Sequence, residues 1–300
     1  MPVWPSGITE GEEAGVSDSG GSGVWRCGRY ALRLDLPRVM GILNVTPDSF
    51  SDGGLYVSDD RAIEHGLALA SAGAAIVDVG GESTRPGSAG VEPAEEVSRV
   101  RPVTAALARR LGIPLSVDTR HPAVASEALR AGASIINDVS GFRDPEMVAV
   151  AADSDAGVVI MHMLGEPSTM QEDPVYADVV AEVRDHLAGR AAMLEAAGIA
   201  RDRIAVDPGI GFGKTSAHNL ELLRRLPEIA ALGYPVVIGA SRKRFIGEVT
   251  GEPVPANRTA GSIAAALWAM EHGAGIVRVH DVKQTVEALR MWQAIRGRKA

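Results

Sequence analysis

The chain has 300 residues, of which 46% are hydrophobic, 23% charged and 4% aromatic, as is typical of a folded globular protein. Its net charge of −8 argues against a nucleic-acid or membrane partner, because such proteins usually present a concentrated basic face. No apolar run reaches the roughly 18 residues that a membrane span requires. The single cysteine, Cys27, excludes an intrachain disulfide and a cysteine-cluster metal site.

Residues 1–24 differ in composition from the rest of the chain. They contain four acidic residues but no lysine or arginine, and a Gly-Gly-Ser-Gly run occupies residues 20–23. A secretory signal needs a basic start and an apolar run, so we expect a cytoplasmic protein. The composition also predicts a disordered N-terminal tail over residues 1–30, followed by one folded domain over residues 31–300.

From residue 39 onward, short apolar runs alternate with longer segments of helical periodicity. The apolar runs are continuous rather than alternating, which favours parallel strands covered on both faces. The predicted strands are residues 39–45, 75–79, 114–117, 135–137, 157–161, 204–206, 235–238 and 275–279. The predicted helices are residues 60–72, 94–111, 122–131, 145–152, 177–197, 217–226, 258–272 and 283–296.

Eight strand-then-helix units in about 260 residues predict an α/β fold of the (β/α)8 TIM-barrel type, in a single domain. A doubly wound open sheet is the alternative. That fold normally carries a glycine-rich phosphate turn after its first strand, whereas here the sequence Asn-Val-Thr-Pro-Asp follows at residues 44–48. The barrel is therefore the favoured prediction.

Polar side chains recur where the predicted strands end. They are Asn44, Asp78, Asp118, Asn137, Asp138, His162, Asp207, Lys243, Arg278 and His280. In a (β/α)8 barrel the carboxyl ends of the strands form the reaction site. Any one of these residues could instead cap a helix or pair across the barrel mouth. Helix capping does not explain why carboxylates occur together with arginine, lysine and histidine at these strand ends. The whole set therefore predicts a binding site.

Two irregular loops and a glycine run lie at the same end of the predicted barrel. The loops, residues 46–58 and 80–92, are rich in Gly, Pro, Ser and Asp, which is typical of lids or binding loops. The run at 209–215 resembles a phosphate-binding P-loop, but Pro208 stands where that motif needs glycine. We therefore interpret it as a tight turn. His162 has no second histidine at ligand spacing, so a zinc site there is disfavoured.

Seven segments of the chain carry a family resemblance. They are residues 40–54, 77–88, 116–119, 135–141, 206–215, 239–247 and 278–282. In these segments the chain resembles the dihydropteroate synthase family of folate biosynthesis, the sulfonamide target. The resemblance implies a (β/α)8 barrel and an Mg2+-dependent transferase that joins p-aminobenzoate to 6-hydroxymethyl-7,8-dihydropterin pyrophosphate. It also implies a homodimer, which the surface pattern of the helices does not test.

The resemblance assigns five residues to the pterin. A pterin presents amide and amino N–H groups on one edge, much like guanine, so its recognition needs a carboxylate that accepts both. Asp118, Asn137 and Asp207 match the family's positions for this edge. Lys243 resembles the family's lysine that reaches the pterin carbonyl and ring nitrogen. Arg278 resembles the family's arginine that packs on the pterin face. In the empty protein, Lys243 and Arg278 could pair with the carboxylates.

Three residues are implied to bind the pyrophosphate. Asn44 matches the family's Mg2+ ligand, and an amide oxygen suits a hard cation. Arg85 and His280 are expected to bind the phosphate oxygens. Arg85 and Lys243 are also expected to act in catalysis, since the reaction requires stabilisation of separating charge rather than a strong base.

The remaining implied residues surround the second substrate. Asp52, together with Thr84 and Pro86, is expected to shield the cation that develops on the pterin methylene. Asp52 and Thr84 are also expected to act in catalysis. Thr84 and Pro86 are implied to line the p-aminobenzoate pocket, with Phe212 and Ser241 as its further walls. Asp78 and Glu82 are left out of this set, because both could be structural.

Two other functions compete with this interpretation. A barrel that transfers the methyl group of methyltetrahydrofolate to a corrinoid protein would share the carboxylate and amide for the pterin edge. Such an enzyme does not need Arg85 or the Ser-Arg-Lys run at residues 241–243, and both are present. A non-catalytic pterin-binding paralogue would be expected to lose the two loops, whose motif residues are retained here.

Overall fold

The computed structural model describes residues 8–10, 23–46, 55–82, 90–165, 170 and 174–297, with the backbone alone for 8–10 and 55–58. Three antiparallel strands come first, namely β1 (Ile8–Glu10), β2 (Val24–Cys27) and β3 (Tyr30–Arg33). Eight parallel strands follow, namely β4 (Arg38–Asn44), β5 (Ile76–Gly80), β6 (Leu115–Asp118), β7 (Ile135–Asp138), β8 (Gly157–Met161), β9 (Ile204–Asp207), β10 (Val237–Ile238) and β11 (Ile276–Val279). The larger sheet therefore contains the eight predicted strands.

Helices connect the parallel strands. They are α1 (Leu55–Ser71), α2 (Pro93–Ala108), α3 (Pro122–Arg130), α4 (Pro145–Ala152), α5 (Val179–Ala196), α6 (Ser216–Arg224), α7 (Leu226–Ala230), α8 (Arg244–Thr250), α9 (Thr259–Glu271) and α10 (Val282–Ile295). Proline occupies the first turn of α2, α3 and α4, where a missing N–H costs no hydrogen bond. Among the helices of the described residues, none has the length and apolar character needed to cross a bilayer.

The parallel sheet closes on itself. Its strand order is β10-β11-β4-β5-β6-β7-β8-β9, and a parallel bridge between Val206 and Val236 joins β9 to the residues that precede β10. The two ends of the sheet are thereby hydrogen-bonded to each other. The predicted (β/α)8 barrel is confirmed, and the open doubly wound sheet is not the observed fold.

The strands are apolar along both faces because each face is covered. Outward-facing residues such as Val77, Val117 and Val277 pack with the helices in a large buried cluster. Inward-facing residues such as Met40 and Ile135 meet in the barrel interior. Burial on both sides explains why the strands were recognisable as continuous apolar runs.

A hairpin formed by β2 and β3 packs against the interior of the barrel. Trp25 and Leu32 of this hairpin are fully buried and belong to the same cluster as Met40 and Ile135. The prediction of disorder up to residue 30 is therefore wrong for residues 24–30. Cys27, which lies on β2, is buried with the hairpin and carries a free thiol. The remainder of the predicted tail lies outside the described residues, apart from Gly23 and the strand β1.

Two short helices were not predicted. Helix α7 follows α6 almost without a break, and α8 begins directly after Lys243. Helix α8 has only seven residues and ends at Gly251, so it is too short for a clear 3.6-residue periodicity. Its position is relevant to the site, because it begins directly after the turn that carries residues 241–243.

Candidate active site

The carboxyl ends of neighbouring strands bring several polar residues into one layer. Parallel pairing places Asn44 beside Gly80, Gly80 beside Asp118, and Asp118 beside Asn137. Gly80 leaves space in this layer: a Cβ atom there would lie 3.6 Å from the Asp118 Cβ and 3.9 Å from the Asn44 Oδ1. The sheet register therefore places three of the predicted residues at the ends of neighbouring strands, with Asn44 and Asp118 on either side of Gly80.

Arg278 on β11 is held between two carboxylates. Its Nε donates to the Asp78 Oδ2 and its Nη2 to the Asp118 Oδ2, each at 2.6 Å. The Asp78 Oδ2 also accepts a hydrogen bond from the Asn137 Nδ2 at 3.3 Å. The predicted pairing of Arg278 with a barrel-mouth carboxylate is confirmed for Asp118. Asp78, which was left out of the predicted site, is the residue that links Arg278 to Asn137.

Both carboxylates keep an oxygen without a protein partner. Among the described residues, the buried Oδ1 atoms of Asp78 and Asp118 accept no hydrogen bond. Burial raises the pKa of Asp118 to about 7, although Arg278 opposes this rise. Two buried carboxylates share one guanidinium, so one negative charge is uncompensated and the pKa of Arg278 is raised. Such a cluster is suited to accept N–H groups from a ligand.

Asp207 at the end of β9 faces the same space. Its Oδ1 accepts the backbone N–H of Gly209 at 2.7 Å. A Cβ atom on Gly239 would lie 4.0 Å from the Asp207 Oδ2 and 3.9 Å from the Arg278 Cβ, so the two residues flank one position. Burial raises the pKa of Asp207, whereas the Gly209 N–H, Lys243 and Arg278 lower it.

Lys243 extends from the turn after β10 towards this group. Its Nζ lies 4.1 Å from the centre of the Phe212 ring and donates to the backbone carbonyl of Ile210. Burial lowers the pKa of Lys243 to about 7, while the negative charges of Asp207 and Asp118 oppose the shift. The side chain therefore contacts the turn after β9 and interacts with carboxylates at the ends of two strands.

Ser241 and His280 lie together at the ends of neighbouring strands. The Ser241 Oγ is 3.0 Å from the His280 Nδ1, and the backbone N–H of His280 donates to the same Oγ at 3.2 Å. Parallel pairing of β10 with β11 brings these two turns into contact. The predicted pyrophosphate and p-aminobenzoate residues are thus adjacent at this point.

The turn that carries Ser241 and Lys243 is fixed by residues that sequence reasoning did not select. Arg242 has a positive φ of 60°, which is uncommon for a residue with a side chain. Its guanidinium pairs with both carboxylate oxygens of Asp281, at 3.0 and 2.6 Å. Arg258 donates to the Arg242 carbonyl at 3.1 Å. The arginine in a Ser-Arg-Lys run gives no local signal for a left-handed backbone, so the sequence could not reveal this role.

Four predicted site residues lie outside the described residues. They are Asp52, Thr84, Arg85 and Pro86. Their implied roles remain predictions. The other nine are described, and the structure brings the carboxylates, the amides and the basic residues to one end of the barrel.

A second polar cluster lies beside the end of β5. Glu82, Glu96 and His121 each offer a ligand atom within 4.8 Å of the others, a spacing that could hold a metal ion. The His121 Nδ1 is 2.7 Å from the Glu96 Oε2, and Arg120 donates to both oxygens of Glu82 at 3.1 and 3.4 Å. These contacts already engage Glu82 and one oxygen of Glu96. The sequence did not indicate this cluster.

Known proteins with the same fold carry the same arrangement of strands. A family profile described as pterin binding enzyme matches residues 40–280. Dihydropteroate synthase of Neisseria meningitidis serogroup C is 51% identical over 276 residues, which cover 91% of this chain and 97% of that relative. The Xanthomonas albilineans dihydropteroate synthase structure with 4-aminobenzoic acid has a TM-score of 0.88 at 50% identity and covers 93% of this chain and 100% of that one. A structure of the same enzyme with 7,8-dihydropteroate has a TM-score of 0.82 at 48% identity. The match covers 90% of this chain and 97% of that one. The chain therefore belongs to the pterin-binding enzymes and, within them, to the dihydropteroate synthases.

Proposed function

We propose that this chain condenses 6-hydroxymethyl-7,8-dihydropterin pyrophosphate with p-aminobenzoate, giving 7,8-dihydropteroate and pyrophosphate. The observation that carries the proposal is the buried pair of carboxylates around Arg278. Asp78 and Asp118 each retain an oxygen that no described residue satisfies. A buried acceptor without a partner costs free energy, and a ligand with N–H groups on one edge would remove that cost.

The pterin edge would lie between strands β6, β7 and β9. The Asp118 Oδ1 and the Asp207 carboxylate are the acceptors available for its N–H groups, and Asn137 lies between them on β7. Hydrogen bonds to ionised carboxylates in a site that excludes water are about twice as strong as neutral ones. Lys243 and Arg278 would supply the donor to the pterin carbonyl and the planar group against its face.

The pyrophosphate would lie at the ends of β4 and β11, where Asn44 and His280 are placed, with Arg85 added by the second loop. Asn44 offers an amide oxygen that faces Gly80 at the end of the neighbouring strand, and such an oxygen fits one protein ligand of a hard cation. When bound there, Mg2+ would neutralise phosphate charge and favour departure of the leaving group. Asn44 and His280 would orient the pyrophosphate for that departure.

The reaction forms one bond and breaks one bond at the exocyclic methylene of the pterin. The arylamine nitrogen of p-aminobenzoate attacks this carbon, the C–O bond to pyrophosphate breaks, and the nitrogen loses a proton. Phe212 and Ser241, with Thr84 and Pro86 from the second loop, would hold the arylamine in position. Asp52 and Thr84 would shield the developing positive charge from water.

The central test is the substrate requirement of the purified protein. We expect pyrophosphate release only when the pterin pyrophosphate, p-aminobenzoate and Mg2+ are all present. A sulfonamide should compete with p-aminobenzoate, because the second substrate needs its own pocket. Binding of pterin without any release at saturating substrate would contradict the proposal and favour a non-catalytic pterin-binding protein instead.

A substitution in the pterin pocket tests the residue assignment. Asp207→Asn replaces an acceptor with an amide that can place N–H donors against the donors of the ligand, so we expect pterin binding to be lost in calorimetry. The matched control is Asp185→Asn, which makes the same change at an exposed position on α5. Unchanged pterin affinity in Asp207→Asn would show that this carboxylate does not contact the pterin.

We further propose that the protein is a homodimer. Large apolar side chains are exposed on consecutive helices: Val249 on α8, Trp268 on α9, and Met291 and Ile295 on α10. Burial of such side chains against a second copy would remove apolar surface from water. Light scattering should give twice the mass of one chain, and a single-chain mass at micromolar concentration would contradict this. The cytoplasmic location stays a prediction.

A further inference from the structure

Lys214 is a fully enclosed lysine that the proposed reaction does not use. It follows the glycine run after β9 and is only 1% exposed. Its Nζ lies 2.9 Å from the His162 Nδ1, 3.0 Å from the Gly209 carbonyl oxygen and 2.9 Å from the Phe212 carbonyl oxygen. The His162 carbonyl oxygen is a fourth acceptor at 3.4 Å. Lysine is almost never fully buried unless its ammonium is satisfied, and here four acceptors surround it.

These acceptors belong to two separate segments of the chain. Gly209 and Phe212 lie in the turn after β9, whereas His162 directly follows β8. The two segments touch closely: Gly209 has a φ of 68°, and a Cβ atom there would lie 1.9 Å from the His162 carbonyl oxygen. No other residue type could occupy position 209 without moving the chain. The ammonium of Lys214 therefore joins two backbone segments at a point of direct contact.

The same turn supplies two features of the proposed active site. The Phe212 ring lies 4.1 Å from the Lys243 Nζ, and the Ile210 carbonyl accepts a hydrogen bond from that nitrogen. Asp207 at the start of the turn accepts the Gly209 N–H. The Gly209 and Phe212 acceptors of Lys214 thus flank Ile210, and Phe212 contacts both lysines, Lys214 through its carbonyl and Lys243 through its ring.

We propose that Lys214 is a positioning residue whose buried Nζ donates to backbone carbonyls of both segments, holding the 209–213 turn so that Phe212 forms the wall of the p-aminobenzoate pocket. The inference rests on the proposed function. The compact ammonium directs three N–H groups at acceptors that come from different directions, which the planar fork of a guanidinium does not reproduce. The His162 Nδ1 is the ring nitrogen that faces Lys214, and burial lowers the pKa of His162, so the imidazole is neutral.

The inference predicts a selective effect on the second substrate. Phe212 lies within the stretch that Lys214 fixes. Of the five pterin residues, Asp207 and Lys243 contact this stretch through Gly209 and Ile210, whereas Asp118, Asn137 and Arg278 belong to other strands. Loss of the ammonium should therefore raise the KM for p-aminobenzoate more than it raises the dissociation constant for the pterin. A merely structural role would lower the amount of folded enzyme and hence the apparent kcat, without changing either constant.

The experiment compares Lys214→Met with Lys283→Met in the full-length protein. Methionine keeps the length of the side chain and removes its donors, and Lys283 is an exposed lysine on α10. For Lys214→Met we expect at least a tenfold rise in the KM for p-aminobenzoate and less than a threefold change in the affinity for 6-hydroxymethylpterin. Lys283→Met should match the wild type. An unchanged KM in folded Lys214→Met would overturn the inference.

A second pair of variants keeps the inference testable if Lys214→Met does not fold. His162→Ala removes the ring acceptor of the ammonium, whereas His162→Asn retains an acceptor close to the position of Nδ1. We expect His162→Ala to raise the KM for p-aminobenzoate and His162→Asn to restore it. Wild-type values in both variants would refute the role of Lys214. Failure of the wild type to release pyrophosphate would instead refute the proposed function, so the two failures are distinguishable.

Discussion

Arg278 donates to Asp78 through Nε at 2.6 Å, and this contact lies deeper in the barrel than its bond to Asp118, since Asp78 is fully buried. The Asp78 Oδ2 also accepts from Asn137, so one oxygen orients a guanidinium and an amide together. Two residues proposed to contact the pterin therefore depend on a third, Asp78, for their orientation.

The first prediction concerns Asp78→Asn, which preserves size and removes one negative charge. Arg278 and Asn137 lose their shared charged acceptor, so we expect pterin affinity to fall about 10- to 100-fold, equivalent to about 1.4–2.8 kcal/mol. Calorimetry with 6-hydroxymethylpterin measures this loss. The negative charge of Asp78 also raises the pKa of Asp118, so the variant should show a lower pKa at Asp118.

The control for this substitution is Asp185→Asn on the exposed face of α5, which should leave pterin affinity unchanged. A wild-type dissociation constant in Asp78→Asn would mean that Arg278 and Asn137 hold their positions without the carboxylate.

The second prediction concerns the pH dependence of kcat/KM for the pterin substrate. Asp118, with its pKa raised to about 7 by burial, must be ionised to accept N–H groups, so activity should fall as the pH drops below about 7. Lys243, with its pKa lowered to about 7 by burial, must be protonated to donate, so activity should fall as the pH rises above about 7. The free enzyme should therefore show a bell-shaped profile centred near pH 7.

Lys243→Arg separates the two limbs of this profile. Arginine stays protonated throughout the range, so the alkaline loss should disappear up to about pH 9 while the acid limb remains. The overall rate is expected to be lower, because a guanidinium does not reproduce the geometry of the ammonium. An alkaline limb of unchanged position in this variant would show that another group causes it.

Sequence patterns predicted the barrel because its strands are short, buried on both faces and separated by regular helices. Asp118, Asn137 and Asp207 could be named in advance because each lies at or next to the end of a strand, and parallel strands bring their carboxyl ends together. Their assignment to the pterin came from the family resemblance. The signal is local in every one of these cases: an apolar run followed by a polar residue.

The features that the sequence did not predict depend on contacts between distant residues. The indole of Trp25 donates to the carbonyl of Arg203 at 2.9 Å, a partner 178 residues away, and the hairpin around Trp25 follows a glycine-rich acidic segment that suggested disorder. Asp78 was recognised as a polar residue at a strand end but left out of the site, because the sequence does not reveal its bond to Arg278, 200 residues away. Periodicity and composition carry no information on such pairs.

The third prediction uses the positive φ of Arg242. Glycine adopts a φ of 60° without a Cβ penalty, so Arg242→Gly should keep the course of the turn while it removes the ion pair with Asp281. Arg242→Ala removes the same ion pair and retains the Cβ. We therefore expect Arg242→Gly to be about 1 kcal/mol more stable than Arg242→Ala in chemical denaturation.

Activity provides the second measurement on these variants. The ion pair joins the turn that carries Ser241 and Lys243 to the residue that follows His280, so both variants and Asp281→Asn should show a reduced kcat/KM. Equal stability of the glycine and alanine variants would contradict the argument from φ. Wild-type kcat/KM in all three would show that the ion pair does not position the turn.

The last prediction concerns acid stability and His162. Burial, together with the nearby charge of Lys214, lowers the pKa of His162 from 6.5 to about 2. Between these values the unfolded chain binds a proton that the folded protein does not, so the free energy of unfolding should fall as the pH drops below 6.5. The loss reaches about 2 kcal/mol at pH 5, at 1.36 kcal/mol per pH unit. His162→Asn, which cannot be protonated, should lack this loss. Urea denaturation of both proteins at pH 7 and pH 5 measures it, and the comparison cancels the contributions of other groups such as His186. Parallel losses of stability in the two proteins would show that His162 takes up its proton in the folded state.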